Sequence, residues 1–292
     1  MKNIKKSTIR IVIQLLMLTA VIIAAGSHYL SSIGIDMNWI SESTFHYICP
    51  ICGVTSIYQF LTSSTLFVVK MKSTLGIVIG LVIMASVLLG PLICGFICPF
   101  GAVQDFTANI GKKIFKRKYN NFIPKKVHDK LKYLRYVTLI AAFILTGASG
   151  GVMFLEKINP YHGFLSIFKG AVSVTGLSVL ALVIIVSLFE QRPWCKYLCP
   201  YGAFLGLFNK IKVFRIVRKR STCIGCRKCS RQCPMKIDVH EAEEVRELRC
   251  ISCMECVDDN VCPKDRTVSC TSDDLDDTRN GEENRIEIKN EI

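Results

Sequence analysis

The sequence predicts a mainly α fold in two parts: about four membrane-spanning helices, followed by a small α+β domain rich in cysteine. Half of the 292 residues are apolar and the mean hydropathy is +0.36, a combination that is unusual for a soluble domain. The apolar residues collect in uncharged runs before residue 190, whereas the sequence beyond it is polar, charged and rich in cysteine. Two physical classes of sequence are therefore joined in one chain.

Four uncharged apolar runs are long enough to span a hydrocarbon core, which takes about 20 residues in helical form. Inside lipid every backbone amide needs an internal partner, so such runs are predicted to be helices. The runs are Ile11 to Leu30, Leu75 to Ile93, Tyr136 to Phe154 and Ala171 to Phe189. The first is longer than the roughly 7 to 15 apolar residues of a secretory signal, so we interpret it as an uncleaved anchor.

The basic residues predict an orientation in the membrane. A formal charge of +14 raises nucleic acid as a partner, but the basic residues crowd beside the apolar runs, as between Lys112 and Lys118. Basic loops stay inside, so the N-terminus and the C-terminal domain are expected on the cytoplasmic side of a bacterial inner membrane. Membrane lipid, and not nucleic acid, is then the expected partner, and the uncharged segment 53–69 is expected to be interfacial or re-entrant.

A Cys-x3-Cys-Pro motif occurs twice, and each copy follows a predicted helix. Proline disfavours helical backbone at the residue before it, so the second cysteine of each copy is expected where the helix is interrupted. Our hypothesis is that the two copies converge into a four-sulfur site for a further cluster or for redox-active thiols. The alternative is that these cysteines are small apolar residues buried at helix ends. They are Cys94, Cys98, Cys195 and Cys199.

The C-terminal part contains a full Cys-x2-Cys-x2-Cys-x3-Cys-Pro run and a second set that ends in Cys-Pro. Three thiolates within seven residues wrap one corner of a 4Fe-4S cluster, and in two-cluster ferredoxins the fourth cysteine of each run ligates the other cluster. The first cluster is thus predicted to take Cys223, Cys226, Cys229 and Cys262, and the second Cys250, Cys253, Cys256 and Cys233. Zinc bound by paired Cys-x2-Cys knuckles is the alternative.

The second run departs from the usual spacing, because five residues instead of three precede Cys262. A longer loop is expected there, and Cys270 lies just beyond as an alternative ligand. A separate pair, Cys49 and Cys52, falls in the predicted outer loop, where a Cys-x-x-Cys pair is suited to thiol redox work. A structural disulfide or a packed turn are the alternatives for that pair.

Taken together, these motifs resemble the membrane polyferredoxin family that includes NapH, NosR and CcoG. The resemblance rests on the segment Arg192 to Ala203, its earlier copy and the two cysteine runs, and it covers roughly residues 75 to 265. It implies electron transfer between the quinone pool or a cytoplasmic donor and a partner redox protein. The chain is therefore expected to be an electron carrier or an oxidoreductase subunit; the alternative is a redox sensor or assembly factor that uses the same clusters.

The sequence divides into five predicted regions. Residues 1–74 hold the anchor helix and outer loop, 75–132 and 133–220 the two membrane repeats, 221–267 the ferredoxin-like domain, and 268–292 an acidic tail. The tail carries almost no apolar residues and is expected to be disordered.

Overall fold

The structure of the chain is a computed structural model that describes residues 6–32, 57, 74–116, 119–120, 122–147, 158–169, 174–264 and 267–272. Over these residues the chain is mainly helical with one two-stranded sheet, which confirms the predicted predominance of helix. The predicted pair Cys49 and Cys52, the 53–69 segment apart from Ile57, and the tail beyond Ser272 lie outside the described residues.

The α-helices of the described chain vary from five to 27 residues in length. They are α1 (Lys6–Ser32), α2 (Thr74–Leu89), α3 (Pro99–Phe115), α4 (Lys125–Leu131), α5 (Leu134–Gly147), α6 (Pro160–Lys169), α7 (Val174–Ser187), α8 (Pro193–Tyr197), α9 (Pro200–Gly206) and α10 (Lys228–Gln232). A π-helical turn, Ile93–Ile97, joins α2 to α3, and short 3-10 turns cover Leu207–Lys210 and Glu255–Val257. Helix α1 packs on α3, α6 and the π-helical turn, while α6 packs along α7.

The predicted polytopic architecture is wrong, because within the described ranges no helix has both the length and the apolar character that crossing a membrane requires. Helices α2, α5 and α7 contain 16, 14 and 14 residues. At ~1.5 Å per residue they measure about 21 to 24 Å, short of the roughly 30 Å hydrocarbon core. Helix α2 ends early because Gly90 adopts a φ of +75°, and α1, though longer, buries the polar side chains of Arg10 and Gln14.

A small antiparallel sheet brackets the cysteine-rich segment. Strand β1 (Arg215–Arg218) pairs with β2 (Val268–Thr271), with Arg215 opposite Thr271 and Arg218 opposite Val268. The cysteine runs lie between these strands in sequence, so pairing of the strands brings the two ends of the segment together. The result is a compact unit of short turns closed by the sheet.

Buried apolar side chains form two clusters. The first joins the helices and includes Phe100, Trp194 and Leu205. The second fills the cysteine-rich unit and includes Met235 and Ile237. Cys94 packs against both clusters. The cysteine-rich unit therefore packs directly against the helical part.

Candidate iron–sulfur centres

The first cysteine set lines a cavity of about 360 Å³ between the loop after β1 and the segment before β2. Cys223, Cys226 and Cys229 come from the first run, and Cys262 comes from the end of the second. Positive φ angles at Gly225 (+69°) and Arg227 (+56°) turn the loop around the cavity. The four predicted ligands of the first cluster therefore share one cavity.

The second set lines a separate cavity of about 340 Å³ with an apolar wall that includes Met235 and Ile237. Three of its cysteines come from the second run and the fourth from the end of the first run. They are Cys250, Cys253, Cys256 and Cys233. The fold therefore separates Cys233 from its sequence neighbour Cys229 and groups it with cysteines of the other run.

The donor chemistry of both cavities fits a 4Fe-4S cluster, which is held by four thiolates. In the part of the chain that the structure describes, no three His, Cys, Asp or Glu side chains are arranged as the ligands of a single metal ion. The cysteines instead surround a cavity, as ligands that each bind a different iron of a cluster must do.

Electrostatics distinguish the two cavities. Burial, together with the nearby Cys253 and Cys250 thiols, raises the pKa of Cys233 to about 12, and burial raises the pKa of Cys256 well above its usual value. By contrast, the backbone N–H of Gly225 lowers the pKa of Cys223. Bound iron ions offset such burial costs because a thiolate that coordinates a cation is stabilised.

The four cysteines of the Cys-x3-Cys-Pro motifs lie close to one another, and Cys94 among them also contacts the cysteine-rich unit. Burial raises the pKa of all four thiols. Neighbouring thiols raise three of these pKa values further: Cys98 and Cys195 act on Cys94, Cys195 acts on Cys98, and Cys195, Cys94 and Cys98 act on Cys199. At Cys195 the nearby Arg192 and the Gln104 hydrogen bond instead oppose the effect of burial. The pKa of Cys98 reaches about 12. The two sequence repeats therefore bring their sulfurs into one group, of which Cys199 is buried and the other three are partly exposed.

The two repeats have the same local geometry at the second cysteine. Cys98 (φ −62°, ψ 113°) and Cys199 (φ −71°, ψ 111°) are both extended, and the proline after each begins a helix. Proline at the first helical position is favoured because it has no N–H to leave unpaired. The predicted interruption of helical structure at the second cysteine is thus confirmed.

Hydrogen-bond donors point at these sulfurs. The Gly202 N–H donates to Cys199 Sγ over 3.3 Å, and Gln104 Nε2 donates to Cys195 Sγ over 3.4 Å. Donors of this kind stabilise a charged sulfur, whether it is a free thiolate or a metal ligand.

A buried charge group lies between the sulfur group and helix α1. Arg192 donates to Asp105 through Nε (2.9 Å) and Nη2 (2.6 Å), and to the Cys94 carbonyl oxygen through Nη1 (2.6 Å). Arg10 of α1 also pairs with Asp105 and with Glu255. Burial alone would raise the pKa of Asp105, but Arg192 and Arg10 hold that pKa well below its usual range.

The sulfur group and the second cavity are in direct backbone contact. A Cβ atom on Gly95 would lie 2.6 Å from the Ile251 carbonyl oxygen and 3.2 Å from the Cys253 Cα. Only glycine leaves room for this approach. The peptide after Cys94 therefore rests on the loop that carries two of the second set's cysteines.

A polar cavity of about 500 Å³ adjoins the same loop, between α1 and α3. Its walls include Arg10, Gln14, Asp105, Lys112 and Glu255. Burial lowers the pKa of Lys112. No sequence pattern pointed to this cavity or its charged residues, although Asp105 follows closely after a Cys-Pro motif.

Two family models match the chain. A 4Fe-4S binding domain matches residues 73–118 and 172–222, which contain both Cys-x3-Cys-Pro motifs. A 4Fe-4S dicluster domain matches residues 215–263, which contain all eight cysteines of the two runs. No solved structure is significantly similar to the chain.

Several curated relatives are similar over part of their length. The chain is 34% identical over 160 residues to the uncharacterized protein MJ0750 of Methanocaldococcus jannaschii, covering 55% of this chain and 65% of the relative. It is 32% identical over 205 residues to the putative electron transport protein YccM of Escherichia coli, covering 68% and 56%. It is 30% identical over 156 residues to the ferredoxin-type protein NapH of Haemophilus influenzae, covering 53% and 51%.

The chain thus spans less than two thirds of the length of each of these relatives. The matched segments nevertheless contain the motifs on which the predicted resemblance rested. The predicted resemblance to the polyferredoxin-like 4Fe-4S proteins and the predicted 4Fe-4S cofactor are thus confirmed.

Proposed function

We propose that the chain is an electron carrier, or the electron-carrying subunit of an oxidoreductase, that connects a quinone pool or a cytoplasmic donor with a partner redox protein. One observation carries the proposal: four cysteines line each of two cavities, and each cavity takes its fourth cysteine from the other run. This exchange of fourth ligands is typical of two-cluster ferredoxins. Their close clusters suit transfer of single electrons.

The proposed ligand sets follow the cavities. Cluster 1 is held by Cys223, Cys226, Cys229 and Cys262, and cluster 2 by Cys250, Cys253, Cys256 and Cys233. When bound, the clusters supply one-electron redox chemistry. The chain's own residues set the surroundings: Met235 and Ile237 exclude water from the second cavity.

Two cysteine variants test the exchange of fourth ligands. We expect Cys233→Ser to remove the same paramagnetic resonance signal as Cys256→Ser, and a different signal from the one that Cys226→Ser removes. Each variant should lose about four iron atoms per chain, because a 4Fe-4S cluster needs four ligands. Cys270→Ser, the matched control, should keep its iron. Loss of one and the same signal in Cys233→Ser and Cys226→Ser would contradict the ligand sets.

We extend the proposal to the cysteines of the Cys-x3-Cys-Pro motifs as a further cluster or a redox-active thiol set. Support comes from the packing of Cys94, Cys98 and Cys199 in one apolar cluster and from the donors that face Cys195 and Cys199. Iron per chain in Cys195→Ser, compared with Cys270→Ser, separates the two forms. Lower iron indicates a cluster, whereas unchanged iron with slower electron transfer indicates redox thiols. Unchanged iron and unchanged transfer would refute both.

A quinone headgroup is the proposed ligand of the polar cavity between α1 and α3. Lys112 and Glu255 offer a donor and an acceptor there, and Glu255 lies between two proposed ligands of cluster 2 in sequence. We expect Lys112→Met to slow reduction by a water-soluble quinol roughly tenfold and to leave reduction by dithionite unchanged. Equal slowing with both reductants would argue against a quinone site.

The rate of electron exchange with the quinol also separates the two candidate functions. Fast exchange favours a carrier, whereas slow exchange with altered partner binding favours a redox sensor.

Association with the bacterial cytoplasmic membrane is proposed from exposed apolar side chains on three helices. These side chains include Leu81 and Met84 of α2, Val137, Ile140 and Ile144 of α5, and Leu182 and Ile185 of α7. Large exposed apolar patches typically mark protein or membrane contacts. Cell fractionation tests the proposal: recovery of the chain in the membrane pellet supports it, and recovery in the supernatant contradicts it.

A further inference from the structure

The two proposed clusters differ in their access to the surface. Cys223, Cys226 and Cys262 are partly exposed, whereas Cys233, Cys250 and Cys256 are buried. Ile224, at the tip of the first cysteine loop, is 61% exposed. Because electron transfer slows steeply with distance, a protein partner gains most from docking over the first cavity.

The rim of the first cavity is strongly basic. From Lys219 to Ile237 the sequence contains no acidic residue. The exposed basic residues on this stretch and on the facing segment are Arg220, Arg227, Lys228, Arg231 and Lys264. Arg220 pairs with Glu243 and Arg231 donates to the Cys226 carbonyl oxygen. Among the described residues, no acidic side chain forms an ion pair with Arg227, Lys228 or Lys264.

An exposed apolar residue within a ring of uncompensated charge has the character of a transient electron-transfer interface. Such interfaces are small, and charge complementarity raises the association rate more than the affinity. We propose that Ile224, Arg227, Lys228 and Lys264 form the docking surface for an acidic redox protein. The proposal rests on the proposed function, since it requires a cluster in the first cavity.

An anionic membrane surface would attract the same charges. The protein partner is favoured because the proposed cluster ligands Cys226 and Cys262 line the cavity beneath this surface, where only a redox-active partner gains from a short distance. Binding to an anionic bilayer is the opposing outcome of the test.

The test compares the charge-reversed variant Lys228→Glu/Lys264→Glu with Lys126→Glu, which reverses an exposed charge on α4. At low salt we expect the double variant to bind an acidic flavodoxin at least about tenfold more weakly than the wild type. The difference should shrink at high salt, because screening removes long-range attraction. Lys126→Glu should bind like the wild type. Unchanged binding in the double variant, or an equal loss in Lys126→Glu, would overturn the proposal.

Two small oxidants give a second measurement with the reduced wild type and both variants. One electron leaves the chain and reduces Co(III) to Co(II), in the anion Co(EDTA)⁻ or in the cation Co(NH3)6³⁺. The double variant should react more slowly with the anion and faster with the cation. A change of the same sign with both oxidants would indicate an altered potential and would overturn the proposal.

Two controls complete the design. Vesicles of phosphatidylcholine with phosphatidylserine test the bilayer: if these vesicles bind the chain through Lys228 and Lys264 while flavodoxin does not bind, the proposal is overturned. Iron content and paramagnetic resonance of the same samples test the proposed function separately. A chain that contains its clusters but does not bind flavodoxin overturns the docking surface alone, whereas an iron-free preparation contradicts the cluster assignment.

Discussion

At the residue scale, Asp105 connects helix α1 with the segment that precedes the second Cys-x3-Cys-Pro motif. It accepts hydrogen bonds from Arg10, Gln14, Gln191 and Arg192. A buried carboxylate is costly unless it is paired and hydrogen-bonded, and here both conditions are met. Its negative charge in turn permits two arginines to be buried beside the cysteines.

Replacing Asp105 by Asn should therefore destabilise the chain by about 3 to 5 kcal/mol, because it leaves Arg192 and Arg10 without their shared counter-charge. Anaerobic urea unfolding at neutral pH measures the change. The matched control is Asp129→Asn, which removes an exposed carboxylate that pairs with Lys132 at 3.6 Å and should change stability by less than about 1 kcal/mol. Equal effects of the two substitutions would contradict the role given to Asp105.

The environment of His128 determines one part of how the stability of the folded chain depends on pH. Burial, and then the nearby Arg249 and Lys196, lower its pKa to about 4. Arg249 donates to Nε2 over 2.6 Å, and Nδ1 lies 2.8 Å from the Tyr197 hydroxyl oxygen, an arrangement that requires a neutral ring. The unfolded chain takes up this proton near pH 6.5 and the folded chain only near pH 4, so stability falls as the pH drops between these values.

The measurement is the urea midpoint at pH 7 and at pH 5 for the wild type and for His128→Gln. We expect a smaller decrease in the variant, because it lacks the titrating ring. A decrease of the same size in both proteins would show that His128 does not contribute to the pH dependence.

The sequence was a good guide to the cysteines and a poor guide to the groups that support them. Cysteine spacing is a local signal, and it predicted which four cysteines would share each cavity. Arg10 bonds groups 85 residues or more away, such as the Gly95 carbonyl oxygen and Asp105. No local pattern encodes such a partner, so the charge group became visible only in the fold.

At the element scale, close backbone contacts at two glycines help to position the cysteines. Gly95 rests on Ile251 and Cys253, and Gly111 of α3 lies so near Leu188 that a Cβ would come within 2.1 Å of its carbonyl oxygen. Both glycines lie outside the predicted apolar runs, and hydropathy alone does not reveal which glycines mark contacts. The apolar run Leu75 to Ile93 extended past the end of α2 to the π-helical turn, so the predicted helix was too long.

Substituting Gly95 by Ala should cost roughly 1 to 3 kcal/mol, since the new methyl group forces the Cys94 peptide away from the second cysteine loop. We expect the paramagnetic resonance signal of cluster 2 to change and that of cluster 1 to stay the same. Gly80→Ala in α2 is the control: nothing lies within 4 Å of its Cβ position, so it should stabilise slightly. Similar effects of both substitutions would contradict the contact.

At the scale of the whole molecule, the helical part and the cysteine-rich unit act as one body. Cys94 packs in both apolar clusters, and Arg10 pairs with Glu255 of the second cysteine loop. The composition of the sequence predicted an apolar part followed by a cysteine-rich part. It could not show that the two parts share an interface, because that interface is made by a few residues from distant segments.

The central claim, two clusters with exchanged fourth ligands, is tested most directly on the unmodified chain purified without oxygen. Iron and sulfide analysis should give about eight of each per chain, four for each 4Fe-4S cluster, or about twelve if the Cys-x3-Cys-Pro cysteines hold a further cluster. Low-temperature paramagnetic resonance of the fully reduced protein should show two clusters that interact magnetically, because exchanged ligands hold them close together. A colourless preparation that contains zinc in place of iron, or two clusters without magnetic interaction, would contradict it.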